Sequence, residues 1–324
     1  MIKLSIIIPV FNTEKFIKKC INSCLKQNIQ NNHYEIIIIN DGSTDNSLEI
    51  INSYIKNYDN IHVFSQSNKK QGSARNNGLT KAVGEYIWFI DSDDWINENI
   101  LKEIIEYVYE NKPDILRFDA INHFPNQLIR ERKSYHVPCK IYKGDEVFLE
   151  NKFSVCVPFH LFKKSFLLKN RLKFIENIFF EDNEFMVKSF YKADKFQYYK
   201  KVLYNVRIRS NSTTRDKDIT RKLDILKVIE SHTFFLNHNS LNPSSKITFS
   251  KHVGKSTNTL LAETLKSYTI FLEAINELKN IKNIKNIIIN SKSYLYILEI
   301  YLINYPKTLH FLLSVFYKLK NKKF

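Results

Sequence analysis

The amino-acid sequence predicts an α/β fold, in which a mostly parallel sheet has helices on both faces and is followed by a helical region. Up to residue 94, short runs of β-branched and aromatic residues alternate with segments of helical periodicity. Apolar runs without alternation indicate strands that are buried on both faces, as in parallel sheets. From Asp216 onward the periodicity is helical, with interruptions near residues 239–245 and at Pro306.

The predicted elements alternate regularly at first and less regularly after residue 94. Thr13 is the expected N-cap of the first helix, and Thr44 or Asp45 that of the second. We expect strands at 4–10, 35–40, 61–64 and 86–90, and helices between them at 13–26, 44–57 and 72–83. Further on we expect a helix at 96–110, a strand at 114–118, loops and hairpins at 122–158, a helix at 180–191 and strands at 196–209.

Length and composition fit one large domain with an appendage. The chain has 324 residues, of which 44% are hydrophobic and 25% are charged, as in folded proteins with a sizeable core. We expect an α/β domain over residues 1–215, with parts at 1–95 and 96–215. A basic helical region is expected over residues 216–324.

Positive charge is concentrated near the C-terminus. The net charge is +16, and residues 279–324 contribute nine lysines against the single acid Glu299, which is +8. Interleaved with Leu, Ile, Phe and Tyr, such a tail suits an anionic membrane surface. A solvated face of a helical bundle and the interface of a homo-oligomer remain open. We expect no nucleic-acid partner, because no nucleic-acid-binding module is visible.

Cysteine usage and the first residues indicate a reducing compartment. Cys20, Cys24, Cys139 and Cys156 form neither a disulfide framework nor a zinc motif, so free thiols are expected. The start of the sequence lacks the features of a signal peptide, and no uncharged apolar run reaches the roughly 18 residues of a membrane span. The expected location is the cytoplasm, with peripheral contact at the inner face of the cell membrane.

The strongest chemical signal is the run from Asp91 to Asp94. It directly follows a predicted buried strand, so its carboxylates lie at the edge of the sheet where ligands bind. Two carboxylates two residues apart can place one group on a sugar or ribose and the other on Mn²⁺ or Mg²⁺. The alternative is an acidic turn in which Asp93 or Asp94 caps the next helix.

Two further segments are predicted at the same edge. Asp41 follows the second strand beside Gly42, and its carboxylate can accept a hydrogen bond from the N–H of a pyrimidine. The alternative there is an ordinary βα loop. Residues 71–78 open the third helix, where backbone N–H groups and Arg75 favour an anion.

Taken together, these segments resemble the successive motifs of family 2 glycosyltransferases. The matching segments are 5–12, 39–45, 72–76 and 89–94, and the resemblance continues more weakly to about Thr214. It implies an inverting enzyme with the GT-A fold, a Rossmann-like architecture. Residues 1–95 would bind the nucleotide-sugar, and residues 96–215 would bind the acceptor.

The resemblance also implies roles for the acidic residues. Asp41 would contact the uracil of a UDP-sugar. Asp91, with Ser92, would contact the ribose and the donor sugar. Asp93 would be the metal ligand of an Asp-x-Asp motif and would hold Mn²⁺ or Mg²⁺.

Other residues would complete the donor site by the same resemblance. Pro9, Phe11 and Asn12 would wall the nucleotide pocket. Arg75 would lie near the uridine or the diphosphate. Arg209, within a basic and hydroxyl-rich segment at 207–214, would bind the diphosphate.

Inversion requires a base that removes the proton of the acceptor hydroxyl on the face opposite the leaving group. Glu181 and Asp182 open a predicted helix after an aromatic run, and they resemble the acidic pair that precedes the family's acceptor-site helix. We expect Asp182 to be the base, with Glu181 as the alternative. It also remains open that both acids only complement a helix N-terminus.

The function that this resemblance implies is a non-processive, metal-dependent hexosyl transfer. A hexose or N-acetylhexosamine would move from UDP to a glycan or lipid-linked acceptor in bacterial surface polysaccharide, capsule or lipopolysaccharide biosynthesis. A sugar-1-phosphate nucleotidyltransferase would carry a glycine-rich phosphate loop after the first strand, which this sequence lacks. A non-catalytic module for nucleotide-sugars or glycans would lack the acids.

Overall fold

The chain forms two compact units in a computed structural model that describes residues 1–132, 141–143, 146, 155–209 and 218–321. The first unit comprises residues 1–177 and 181–215, and the second comprises residues 178–180 and 216–324. The sequence-based assignment of donor and acceptor halves within residues 1–215 stays a prediction.

Ten strands in the described part of the first unit form one mixed sheet. They are β1 (Leu4–Val10), β2 (Tyr34–Asn40), β3 (Ile61–Ser65), β4 (Tyr86–Phe89), β5 (Trp95–Ile96), β6 (Ile115–His123), β7 (Ile129–Arg132), β8 (Ile141–Tyr142), β9 (His160–Lys163) and β10 (Phe196–Arg207). The order is β3-β2-β1-β4-β9-β6-β10-β5, with β7 beside β6 and β8 beside β10. Strands β3, β2, β1 and β4 are parallel, and β9 runs antiparallel between β4 and β6.

The sheet carries helices on both faces, as predicted. Every residue of β1 and β2 is buried, because each of these strands is largely apolar on both faces, and the buried Ser5 hydroxyl donates to the Glu35 carboxylate. A Cβ atom at Gly78 would collide with the side chain of Ile7, so a helix packs directly on that face of β1. The helices of this unit are α1 (Ile17–Leu25), α2 (Ser47–Ile55), α3 (Lys70–Lys81), α4 (Leu101–Asn111), α5 (Lys164–Lys169) and α6 (Glu181–Lys192).

Two helix starts differ from the predictions. Helix α1 begins at Ile17, because the carbonyl of Thr13 accepts hydrogen bonds from Phe16 and Ile17 in a preceding turn, and Thr13 is not its N-cap. Helix α2 begins at Ser47 with Asn46 in the N-cap position, so neither Thr44 nor Asp45 is its N-cap, although the N–H of Ser47 donates to the Asp45 carboxylate over 3.0 Å.

The helix predicted at 96–110 starts later than expected. Trp95 and Ile96 form β5, which pairs antiparallel with Asn205 and Tyr204 of β10, and helix α4 begins only at Leu101. This long-range pairing overrides the local helical periodicity. The strands expected at 196–209 are the single strand β10, whose register with β6 shifts twice.

Helices make up the second unit. They are α7 (Asp224–His238), α8 (Pro243–Thr264), α9 (Tyr268–Asn280), α10 (Ile284–Asn290), α11 (Tyr294–Leu302) and α12 (Pro306–Asn321). Asn242 caps α8 by accepting from the N–H of Ser245 over 2.8 Å. Pro306 begins a helix, where its missing N–H costs nothing. Within the residues described, every helix is too short or too polar to cross a bilayer.

Candidate active site

Loops at the carboxyl ends of β1 and β2 are tied together by Asn12. Its side-chain oxygen accepts from the N–H of Thr44 over 2.8 Å, and its own N–H donates to the Ser43 hydroxyl over 3.2 Å. Asn12 has a φ of 50°, a left-handed conformation that asparagine tolerates better than most residues. The loops therefore form one continuous wall.

Asp41 is buried at the end of β2 and anchors the loop that leads into α3. Its Oδ1 atom accepts from the Gln66 side chain at 2.8 Å and from the N–H of Lys69 at 2.9 Å. Burial raises the pKa of Asp41, although these hydrogen bonds oppose the shift. Asp41 is 2% exposed, so any contact with a base would be made deep in the site.

Arg75 is the centre of the site. It lies in α3 with none of its surface exposed. One guanidinium nitrogen, Nη1, donates to Glu181 at 3.0 Å and to Asp182 at 2.5 Å. The other, Nη2, donates to Asp91 at 2.9 Å. One cation thus joins the loop after β4 to the first turn of α6.

The charge on Arg75 is fixed by its partners. Burial alone would lower the pKa of Arg75, but the carboxylates of Asp182, Asp91 and Glu181 outweigh it and raise that pKa. The sequence-based expectation placed Arg75 near the uridine or the diphosphate, and that contact stays a prediction. The contacts observed are with carboxylates, which gives Arg75 a positioning role.

Close packing seats α6 against α3. A Cβ atom at Gly72 would lie 2.6 Å from the carbonyl oxygen of Ile175 and 3.2 Å from Cγ of Glu181. The Asn76 side chain donates to the carbonyl of Phe174 at 2.9 Å and accepts from its N–H at 3.0 Å. These contacts hold the segment before α6 against the first turns of α3.

The two acids of α6 differ in burial. Glu181 is 6% exposed, and burial together with the neighbouring Asp182 raises the pKa of Glu181 to about 8, although Arg75 opposes the shift. The side chain of Asp182 is 32% exposed. At neutral pH Glu181 is therefore largely protonated and enclosed, whereas Asp182 reaches solvent.

Asp91 also binds the Gln71 side chain, at 2.6 Å, and its N–H donates to the hydroxyl of Tyr204 at 3.1 Å. Burial and the carboxylates of Asp182 and Asp93 raise the pKa of Asp91 to about 6, against the effect of Arg75. Asp91 is therefore held in place from α3 and from β10.

The remaining acids of the motif face β10. The N–H of Arg207 donates to Asp94 at 2.7 Å, and Nε of Arg207 donates to the carbonyl of Asp93 at 3.0 Å. Arg209 forms an ion pair with the Asp93 carboxylate. Burial and the neighbouring carboxylates of Asp93 and Asp91 raise the pKa of Asp94 well above its usual range. Asp94 is thus a structural acid that caps no helix, since β5 follows it.

Aromatic rings and cations surround this turn. The guanidinium carbon of Arg207 lies 5.0 Å from the ring centres of both Phe16 and Trp95, and that of Arg209 lies 4.8 Å from Phe16. The ammonium of Lys19 lies 3.2 Å from the centre of the Trp95 ring. Burial and the charge of Arg207 lower the pKa of Lys19. Three cations therefore lie close to the turn that carries the carboxylates of Asp91, Asp93 and Asp94.

The structure brings together most of the residues selected from the sequence. Asp91, Arg75, Glu181 and Asp182 share one ion-pair cluster, and Arg209 contacts Asp93. Three others line the ends of the strands without a polar contact to that cluster: Phe11 is 46% exposed, whereas Pro9 and Ser92 are buried. Segment 210–217, which holds the rest of the hydroxyl-rich stretch, lies outside the described residues.

Five residues of the site were not predicted from the sequence: Gln71, Tyr204, Arg207, Lys19 and Trp95. Gln71 and Arg207 stand inside segments that the sequence analysis did single out, so their positions carried a signal. Tyr204 reaches Asp91 only because β10 is placed across the sheet, and nothing in the local sequence indicates that.

The residues present fit a divalent cation of the hard, oxygen-preferring type. Among the described residues no three His, Cys, Asp or Glu side chains form a metal cluster. Asp93 is the acid of the motif with a half-buried carboxylate that is not tied to Arg75 or to a backbone N–H. Mg²⁺ and Mn²⁺ are commonly held by one or two carboxylates together with phosphate oxygens and water. A single-carboxylate site completed by a diphosphate is consistent with that chemistry.

Comparison with solved structures defines the fold. The crystal structure of S. aureus TarS 1–349 in complex with UDP-GlcNAc matches with a TM-score of 0.78 at 19% identity, covering 98% of this chain and 92% of that chain. This likeness confirms the expected GT-A fold and the helical C-terminal region.

The chain belongs to glycosyl transferase family 2, whose model matches residues 5–170. It is 34% identical over 183 residues to a poly(ribitol-phosphate) beta-glucosyltransferase of Bacillus spizizenii, covering 54% of this chain and 27% of that protein. It is 34% identical over 197 residues to the uncharacterized glycosyltransferase EpsJ of Bacillus subtilis, covering 58% of this chain and 56% of that protein. The chain therefore spans between about a quarter and somewhat more than half of these relatives.

The raised pKa of Glu181 predicts a pH-dependent stability. Unfolded, this side chain loses its proton near its ordinary pKa of 4.5, whereas the folded protein retains the proton up to about pH 8. The contribution of Glu181 to the free energy of unfolding is therefore fully present below pH 4.5 and is lost as the pH rises through 8. We expect Glu181→Gln to remove that loss. Between pH 6 and 8 the free energy of unfolding of the wild type should therefore fall relative to that of Glu181→Gln.

Urea denaturation at a series of pH values measures this difference. Glu103→Gln is the control, because Lys201 and Tyr199 lower the pKa of Glu103 and its titration lies below this window. A constant offset between Glu181→Gln and the wild type across pH 6–8 would show that Glu181 is ionised throughout.

Proposed function

We propose that the chain transfers a hexose or N-acetylhexosamine from a UDP-sugar to a glycan or lipid-linked acceptor, with inversion and with a divalent metal. One observation carries the proposal: the buried Arg75 guanidinium joins Asp91, which we propose as a donor ligand, to Asp182, which we propose as the base. Membership of glycosyl transferase family 2 supports the reaction class. The reaction would add one sugar per encounter.

Donor binding would use the ends of β1, β2 and β4. The exposed ring of Phe11 would stack on the base, and Asp41 would accept a hydrogen bond from the uracil N–H. Asp91 would bind the ribose and the donor sugar. The crystal structure of TarS contains UDP-GlcNAc, which favours a uridine nucleotide here.

Asp182 would act as the base. Inversion is one in-line displacement, in which the acceptor oxygen attacks the anomeric carbon as UDP leaves and the hydroxyl proton passes to a carboxylate. Asp182 is the acid of the pair that is exposed enough to meet an acceptor hydroxyl, whereas Glu181 is enclosed and largely protonated. Arg75 would orient the Asp182 carboxylate.

Negative charge that develops on the diphosphate as it leaves would be stabilised by the cations around Asp93. Arg209 would donate to phosphate oxygens in a charge-assisted pair. A metal bound at Asp93 would neutralise further negative charge on the leaving group. Arg207 keeps this turn in place through the backbone of Asp93 and the side chain of Asp94.

Asp182→Asn should slow turnover by roughly 10²- to 10⁴-fold, because a positioned base contributes about that much. Its affinity for UDP with Mn²⁺ should stay near that of the wild type. The measurement is UDP release from a panel of UDP-hexoses and UDP-N-acetylhexosamines, with water as the acceptor. Glu181→Gln is the matched control and should keep most of the activity.

The same assay tests the donor site. Asp93→Asn and EDTA should each abolish UDP release and weaken UDP binding. A wild-type protein that binds no UDP in the presence of Mn²⁺ would contradict the donor assignment. Equal losses in Asp182→Asn and Glu181→Gln would contradict the choice of base.

We also propose that α12 contacts an anionic membrane at the inner face of the cell, where a lipid-linked acceptor would be found. Phe311, Leu312, Val315 and Phe316 are 65%, 43%, 40% and 43% exposed, and their spacing places them on one face of the helix. Exposed Lys307 and Lys318 flank this face. Apolar side chains bordered by lysines are typical of helices that lie in a bilayer interface.

Replacing Phe311 and Phe316 together by serine should reduce binding to vesicles that contain phosphatidylglycerol. Phe234→Ser is the matched control, because Phe234 is an exposed phenylalanine on another helix. Co-sedimentation with anionic and with neutral vesicles measures the effect. If the wild type binds no vesicles and the double variant instead lowers its oligomeric state, α12 is a subunit interface.

A further inference from the structure

The proposed metal ligand Asp93 is already bound by a cation of the chain itself. Nη2 of Arg209 forms an ion pair with Oδ2 of Asp93, and both side chains are half-buried. Arg209 is kept there from the other side by the ring of Phe16, which lies 4.8 Å from its guanidinium carbon. The ion pair is therefore part of a packed arrangement at the end of β10.

A divalent cation and Arg209 compete for the carboxylate of Asp93. A metal that takes Asp93 as a ligand has to displace Arg209 from that oxygen or share the carboxylate with it, and either costs part of the ion-pair energy. Arg207 and Lys19 nearby also repel a cation, which offsets the attraction of the Asp91 carboxylate. Metal alone is therefore expected to bind weakly.

A diphosphate changes that balance. It brings negative charge to the same place, gives the guanidinium of Arg209 phosphate oxygens to bind, and offers further ligands to the metal. Arg209 can then leave Asp93 without losing its ionic partner. Asp93 becomes available to the cation at the moment when the diphosphate arrives.

We propose that Arg209 makes metal binding at Asp93 conditional on the diphosphate, by occupying that carboxylate until phosphate oxygens replace it. Arg209 is in this sense a positioning residue, which acts on the metal through Asp93 and through the diphosphate. The inference rests on the proposed function, because it takes Asp93 as the metal ligand.

The binding of UDP and the binding of Mn²⁺ are thermodynamically linked. UDP must raise the affinity for Mn²⁺ by the same factor by which Mn²⁺ raises the affinity for UDP. Part of that factor comes from releasing Arg209. Without Arg209, Mn²⁺ alone should bind more tightly, and UDP should add less to its affinity.

The test is titration of Mn²⁺ into the whole chain, with free Mn²⁺ followed by electron paramagnetic resonance, in the absence and in the presence of UDP. Arg209→Met keeps an aliphatic side chain against Phe16 and removes the charge. Arg209→Lys keeps the charge. Lys19→Met is the matched control, because it removes one positive charge from the same cluster without touching the Asp93 carboxylate.

We expect Arg209→Met to bind Mn²⁺ alone roughly five- to twentyfold more tightly than the wild type, within the usual range of coupling between sites. The gain in affinity that UDP produces should shrink by a similar factor. Arg209→Lys should resemble the wild type, and Lys19→Met should change Mn²⁺ affinity much less than Arg209→Met.

Two results would overturn the inference. One is an unchanged or weaker affinity of Arg209→Met for Mn²⁺ alone. The other is an equal gain in Mn²⁺ affinity in Lys19→Met, which would assign the effect to the overall positive charge near the site and not to the Arg209–Asp93 ion pair. Asp93→Asn separates this from the proposed function: if that variant binds Mn²⁺ and UDP together as well as the wild type does, Asp93 is not the metal ligand and both proposals fail.

Discussion

The buried guanidinium of Arg75 is the interaction on which the rest of the site depends. A cation with no exposed surface is costly to desolvate, and it is stable here because Asp91, Glu181 and Asp182 surround it. Those acids come from two distant parts of the chain, the loop after β4 and the first turn of α6. Without Arg75 the carboxylates of Asp91 and Asp182 would repel one another.

Different degrees of burial give these acids different roles. Glu181 is the most enclosed of the three acids, and it retains its proton to about pH 8 because burial and the neighbouring Asp182 raise its pKa. Asp182, next to it in sequence, keeps a third of its side chain in solvent. The difference between a structural acid and a candidate base thus follows from their positions on one helical turn.

The sequence was sufficient for the α/β class, for the strands β1 to β4 and for the acids at their carboxyl ends, because local periodicity and strand ends carry that information. It could not predict β5, since Trp95 and Ile96 become a strand only by pairing with β10. It also could not show that Arg75 faces carboxylates, because its partners lie 16 and more than 100 positions away. Contacts of that range depend on the assembled sheet.

A double-mutant cycle between Arg75 and Asp91 tests this account most directly. Arg75→Met alone should lower the free energy of unfolding by about 3–5 kcal/mol, the usual effect of removing one partner from a buried pair. Arg75→Met with Asp91→Asn should be less destabilising than the sum of the single changes by about 1–3 kcal/mol. Effects that add to within about 0.5 kcal/mol would contradict the account, because the two residues would then not be coupled.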